Sequence, residues 1–396
     1  MNILNAAAFA HRRPSRRTTR AHPGWPVLLV VSATLLVACD RDASPVDPIR
    51  APAAVSDQRP SDRGKLFPVT TFATGLNNPR GLRFGPDRSL YVAEAGAGGS
   101  TSTAGTCTQV MAPVGPYTGG NTARITKINS AGVKSVVVDG LPSSVNAMGF
   151  VNGIVDLEFI RSHLYALVDG AGCSHGHADV PNGIVRINSD RSVTRIADLS
   201  AFYKSHPTAR PEPGDFEPDG VPYSMVAVDD ALYVVEANHG SLDRVDLDGS
   251  VHRVADISAT FGHIVPTSVT HLGVFFIANL NPFPVVPGSS QVIAVAPHGA
   301  MATVLHGVTA VLGSAWDRWG RYYVLETTTA PGGPTPGTGR VRRFSAWGGV
   351  ITIADSLFFP TGMTIGPDGD LYISNVGFGP PPVGLGTILR VKLDGL

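Results

Sequence analysis

Six times along the chain a pair of large apolar or aromatic residues is followed by a β-branched or small residue and then by a small or polar position. The copies are Leu90-Tyr91-Val92, Leu164-Tyr165-Ala166, Leu232-Tyr233-Val234, Phe275-Phe276-Ile277, Tyr322-Tyr323-Val324 and Leu371-Tyr372-Ile373. Each follows a Gly, Asp or other polar turn and precedes a second apolar strand, such as Ile184-Val185-Arg186-Ile187 or Ile388-Leu389-Arg390-Val391. A supersecondary unit repeated every few tens of residues and made only of short strands predicts an all-β, six-bladed β-propeller.

Laid over one another, the units give four antiparallel strands per blade. The innermost strands are expected at Gly81–Phe84, Asp156–Phe159, Ser224–Ala227, Ser268–Thr270, Ser314–Trp316 and Gly362–Ile365, with the Leu-Tyr strands next. The last unit runs out of sequence after its third strand, while an orphan strand, Phe67 to Ala73, precedes the first. Both would leave open edges, so the N-terminal strand is expected to complete the C-terminal blade.

The turns separate two faces. Connections between first and second strands and between third and fourth are tight, as in Gly366-Pro367-Asp368-Gly369 and Asp246-Leu247-Asp248-Gly249, where Gly accepts positive φ and Pro presets the first turn residue. The other connections are long: residues 95–122, 169–182, 280–290, 327–338 and 376–386 inside blades, and 200–218 between the second and third. Both long classes emerge on one side of an up-and-down blade, and loops of this length usually serve function.

Composition fits a chain of many short strands: 45 glycines and 32 prolines in 396 residues, 43% hydrophobic and 16% charged. The first 38 residues stand apart. They hold Arg12, Arg13, Arg16, Arg17 and Arg20, no acid, and an apolar run from Trp25 to Ala38 that is too short to span a bilayer, the profile of an export signal. Leu36-Val37-Ala38-Cys39 resembles a bacterial lipobox, which predicts diacylglyceryl transfer to the Cys39 sulfur and attachment to a membrane through acyl chains. Asp40, next in line, resembles an inner-membrane retention signal of some Gram-negative bacteria. Residues 39–63 read as a flexible tether and 64–396 as the propeller. Taking five arginines from 31 basic residues leaves 26 against 31 acidic ones, and a mildly acidic chain without basic runs speaks against nucleic acid. A periplasmic or envelope location and a monomeric state are expected.

With the blades laid out, the chain resembles the ScyD/ScyE family of bacterial propellers. The matching stretches are Gly75-Leu76-Asn77-Asn78-Pro79-Arg80-Gly81-Leu82, Leu90-Tyr91-Val92-Ala93-Glu94-Ala95-Gly96, Val221-Pro222-Tyr223, Val265-Pro266-Thr267-Ser268-Val269, Asn281-Pro282-Phe283-Pro284 and Phe359-Pro360-Thr361-Gly362. The similarity spans roughly residues 66 to 394. It implies an exported six-bladed fold of the broad NHL and gluconolactonase kind, with no established reaction.

Candidate chemistry is sparse. Cys107 and Cys173 fall in equivalent long loops of neighbouring blades, and the exported compartment permits a disulfide between them. The run Cys173-Ser174-His175-Gly176-His177-Ala178-Asp179 would suit zinc, but a disulfide consumes the sulfur, and structural or surface histidines are the preferred reading. The loop carrying Glu212, Asp215, Glu217 and Asp219 is read as a solvated acidic surface in preference to a calcium site. Gluconolactonase-like propellers hold a divalent metal at the channel mouth through Glu, Asn and Asp. The corresponding positions here, at the starts of the innermost strands, are Arg80, Val155, Tyr223, Thr267, Leu312 and Thr361, and none is a carboxylate. Asp156 and the residues ending the second strands, Glu94, Glu236, Asn279, Glu326 and Asn375, would supply oxygen ligands to a hard cation or, more simply, a polar ring at the strand ends. No nucleophile elbow, Walker loop, dinucleotide fingerprint or zincin helix is present.

The sequence therefore predicts a binding module that takes a small molecule or a protein on its long-loop face without a cofactor. Arg80 is expected to meet an anionic group, Tyr223 to stack, and Asp156 to line the mouth. The alternative is a hydrolase of lactone-like esters using one divalent cation, calcium or zinc.

Overall fold

The computed structural model describes residues 67–345, 349–377 and 384–393; the expected export signal, Cys39 and the expected tether lie outside the described residues. Six antiparallel sheets form a closed ring. The innermost strands are Pro79–Phe84, Ile154–Ile160, Pro222–Val228, Pro266–Leu272, Val311–Trp316 and Gly362–Ile365. Each packs against the next, and the sixth returns to the first.

Ring closure takes the predicted form with shifted bounds. The N-terminal strand is Val69–Leu76 and pairs antiparallel with Gly386–Val391, from Val69 opposite Val391 to Leu76 opposite Gly386. Blade six is thus built from both ends of the propeller. Blade one departs from four strands: Thr118–Ile128 and Lys134–Val145 run on past the sheet into the long-loop face, and Val151–Asn152 adds a fifth strand. Part of the expected 95–122 loop is therefore strand.

Burial explains why the Leu-Tyr motif reads as a continuous apolar run. Second strands are covered by a neighbouring blade on each face, and every residue of Tyr322–Glu326 and Leu371–Asn375 is buried. Outer strands such as Met301–Val308 alternate in exposure. The motif aromatics reach across to the next blade: Tyr372 meets Phe84 edge-on at 5.0 Å, Tyr91 meets Phe159 at 5.1 Å, and Phe276 meets Trp316 at 5.0 Å. Their hydroxyls tie back to the tight turns, Tyr372 to Asp368 at 2.8 Å and Tyr323 to Asp317 at 3.0 Å.

Two short helices, unforeseen in the sequence, follow blades two and three: Leu199–Ser205 and Ile257–Phe261. Asp198 and Asp256 cap them through the Ala201 and Ala259 N–H groups, at 2.8 and 2.9 Å.

Candidate functional site

The central channel is a cavity of about 270 Å³, lined from all six innermost strands. In blades one to five the register slips by one residue at the top of the first strand, a bulge that re-aims the residue there. Those residues are Arg80, Val155, Tyr223, Thr267 and Leu312, the positions expected at the channel mouth. Val155, Tyr223, Thr267, Leu312 and Thr361 line the channel. Arg80 does not; its guanidinium is buried and donates to the Val151 carbonyl at 2.5 Å.

Most channel groups bind blade to blade. Asp156 lies on the channel, yet its carboxylate accepts from the Met225 N–H at 2.8 Å and from Ser224 Oγ at 3.1 Å, both on blade three. Thr267 donates to the Val311 carbonyl at 2.5 Å, Thr361 to the Pro79 carbonyl at 2.6 Å, and Ser268 and Ser314 share a bond of 2.7 Å. Blades one and two approach so closely that a Cβ on Gly81 would clash with the Asp156 carboxylate. Burial raises the Asp156 pKa against the opposing charge of Arg83.

The residues ending the second strands form a repeated clamp and do not line the channel. Each carboxylate or amide oxygen accepts an N–H from the segment leading into its own blade: Glu94 from Asn77 at 2.6 Å, Glu236 from Val221 at 2.7 Å, Glu326 from Thr309 at 2.7 Å and Asn375 from Phe358 at 2.9 Å. In blade four the polarity reverses, and the Asn279 amide donates to the Ile264 carbonyl at 2.8 Å. Blade two uses Asp169, which accepts from Gly153 at 2.8 Å. Asp169 was missed because it stands one residue beyond its strand, although its place directly after Leu164–Val168 signals the same register. Burial lifts its pKa to about 6, with Arg80 opposing.

These oxygens are already coordinated by protein. Glu236 also holds the N–H groups of Asn238, His239 and Gly240; Glu94 holds Arg124 and Thr126; Glu326 holds Arg340 and Arg342. A cation would have to displace buried donors at each, so the set does not fit a divalent metal. Among the described residues, no three His, Cys, Asp or Glu side chains converge on one point.

Over this rim lie the long loops. Cys107 and Cys173 are bonded, with Cα atoms 6.3 Å apart, within the expected reach. The candidate zinc run disperses: Cys173 is in the disulfide, His177 turns to the Ser143 carbonyl at 3.1 Å, and Asp179 is exposed. His175 is fully buried, its Nδ1 2.7 Å from the Ala171 carbonyl and its Nε2 2.8 Å from Glu217 Oε2. The acidic loop is the solvated surface expected only in part: Glu212 is exposed and Asp215 half-exposed, but the other two acids are not. Glu217 and Asp219 are buried, Glu217 also accepting from the Tyr117 hydroxyl at 3.2 Å and Asp219 from Ser174 and Lys204. The cause is chemical: each carboxylate has a cationic or hydroxyl partner from another loop, which makes burial tolerable.

Exposed phenylalanine and methionine side chains are unevenly shared, although exposed valines are found on both ends. Among the described residues, all three exposed phenylalanines, Phe216, Phe283 and Phe358, and both exposed methionines, Met111 and Met148, stand on the long-loop face. Leu272 and Trp319 are on tight turns at the other end.

No family model matches the chain, and no curated protein is similar to it in sequence. Solved structures share its fold. A Bacteroides thetaiotaomicron protein of unknown function gives a TM-score of 0.53 at 11% identity over 82% of this chain and 75% of its own. A Thermus thermophilus protein assigned as a glucose dehydrogenase oxidoreductase gives 0.52 at 17% over 82% and 100%. A Xanthomonas campestris gluconolactonase gives 0.50 at 11% over 82% and 89%. At these identities the likeness is one of architecture alone.

Proposed function

We propose that this protein is an exported, lipid-anchored propeller of the ScyD/ScyE kind that binds a small-molecule or protein ligand through its long-loop face. The carrying observation is the concentration of exposed Phe and Met side chains on that face. Exposed phenylalanines and methionines on one face favour a partner that removes them from water, since aromatic and methionine side chains are enriched in such contacts. The Cys107–Cys173 bond and the buried pairs beneath it hold the surface in shape before binding, which lowers the ordering cost. Tyr223 lines the channel and is an aromatic group there for a ligand to stack on, while Arg80 is turned away to Val151.

The test compares capture of envelope components by the full chain, by the triple variant Phe216→Ser, Phe283→Ser, Phe358→Ser, and by Trp319→Ser at the opposite end. A partner lost at least tenfold with the triple variant alone supports the reading; equal loss with Trp319→Ser removes it. Anchoring is tested separately, since Cys39→Ala should move the protein from the detergent phase to the aqueous phase.

The alternative, a metal-dependent lactonase, draws on the fold shared with the gluconolactonase. The occupied carboxylates weigh against it. Lactone turnover that requires calcium or zinc and is abolished by a chelator would replace the binding reading.

A further inference from the structure

The segment 206–221 crosses from blade two to blade three over the long-loop face and carries the exposed Phe216. Its first half is tied to blade three: Thr208 Oγ1 donates to the His239 carbonyl at 2.9 Å, and the Ala209 N–H donates to Asp256 at 2.7 Å. Its second half meets histidines on other loops from both sides, with His239 Nε2 3.0 Å from the Glu217 carbonyl and the Glu217 N–H donating to Asn238 at 2.8 Å. On one side His175 meets Glu217 at 2.8 Å; on the other, His263 Nε2 meets Asp215 Oδ2 at 2.9 Å. Phe216 sits between these two carboxylates and stacks on His239 at 4.9 Å.

The geometry at His175 dictates a protonation state. Both ring nitrogens face oxygen acceptors, a backbone carbonyl and a carboxylate, and neither oxygen has a proton to give when Glu217 is ionised. Only the imidazolium satisfies both contacts. Either neutral tautomer sets a ring lone pair against an oxygen in a site closed to water.

We propose that residues 206–221 form a strap whose two histidine–carboxylate clasps, His175–Glu217 and His263–Asp215, grip while the imidazoles are protonated and slacken as they lose the proton, so that pH governs the presentation of Phe216 on the binding face. The proposal builds on the binding reading for its purpose, though not for its test.

The surroundings favour the charged ring. Burial opposes the His175 charge, but Glu217, the Ala171 carbonyl and Asp219 outweigh it and raise the pKa; Asp169 and Tyr117 also face this pocket, Lys204 pairs with Asp219, and the nearby His177 acts in the other direction. At His263 burial is again outweighed, by Asp215, the Asn238 backbone and Glu212. A raised histidine pKa means that grip is complete below about pH 6.5 and is lost as pH rises through the folded-state value.

Hydrogen exchange on the full mature chain tests the strap without any ligand. After correction for intrinsic rates, amides of 206–221 should exchange at least tenfold faster at pH 8.5 than at pH 6, while 311–326 in blade five should not change. His263→Gln, on the less buried clasp, should fold, exchange fast at both pH values in 211–217, and lose most of the pH response there; His175→Gln should do the same at 215–219. A segment equally protected at both pH values, or one that keeps its full pH response in His263→Gln, overturns the strap. Failure of partner capture with the exchange response intact would overturn the binding reading alone.

Discussion

At the short-turn end of the channel, several connections are shaped by bonds that span two residues: the Ser89 N–H to Asp87, Ser192 to Asp190, and Ser250 to Asp248; the Arg161–Asp230 pair between turns, 69 residues apart, is exposed. At the long-loop end the corresponding bonds span 42 residues for His175–Glu217, 48 for His263–Asp215, 70 for Thr103 to the Cys173 carbonyl and 100 for Tyr117–Glu217. A bond across two residues costs little loop entropy and forms wherever its tetrapeptide occurs. Bonds across tens of residues form only after neighbouring blades have docked. The turn end is therefore a scaffold that assembles locally, and the loop end is a surface whose order depends on the closed ring.

The most severe way to break this comparison is to open the ring. Deleting residues 67–76 removes the strand paired with Gly386–Val391 and exposes an edge in blade six. Cooperative thermal unfolding followed by circular dichroism should vanish, with aggregation in size-exclusion chromatography.

Next comes a cut at one clamp. Glu236→Ala leaves the N–H groups of Val221, Asn238, His239 and Gly240 without their acceptor in a fully buried site, at a cost of about 3–5 kcal/mol. Asp248→Ala, in an exposed tight turn, should leave the urea midpoint almost unchanged.

A milder loss follows from Cys107→Ser with Cys173→Ser. The bond closes 66 residues, so its removal should cost about 2–4 kcal/mol, with faster exchange across 95–117 and none in the tight turns.

The smallest effect is the pH dependence. Asp169 titrates at about 6 in the fold because burial lifts it, so the folded state holds more protons than the unfolded chain between about pH 4 and 6. Stability then falls as pH rises through that window, and the raised histidines extend the decline above it. The melting temperature should be a few degrees higher at pH 5.5 than at pH 8, and Asp169→Asn should flatten the lower part of the slope.

Much of the architecture could be read without coordinates because it is periodic and local. The six Leu-Tyr strands, the hairpin turns and the residues heading the innermost strands all follow from alternation and turn chemistry, and Val155, Tyr223, Thr267, Leu312 and Thr361 duly line the channel. Cys107 and Cys173 were legible as a pair because their loops occupy equivalent places in adjacent repeats. Arg80 stands near the start of its innermost strand, but the direction of its guanidinium toward Val151 does not follow from the sequence, since a long side chain chooses among several acceptors. Glu94, Glu236 and Glu326 read equally well as ligands or as structural groups until the N–H groups and arginines around them were located.

The sequence by itself determined that this chain folds into repeated short-strand blades with one face of tight turns and one of long loops, because strand period and turn preference act over a few residues. Only the tertiary structure decided which polar groups remain available. The Asp156 carboxylate and the 215–219 carboxylates find partners on another blade or loop, and pairing across such distances depends on how the blades pack, which no local pattern encodes.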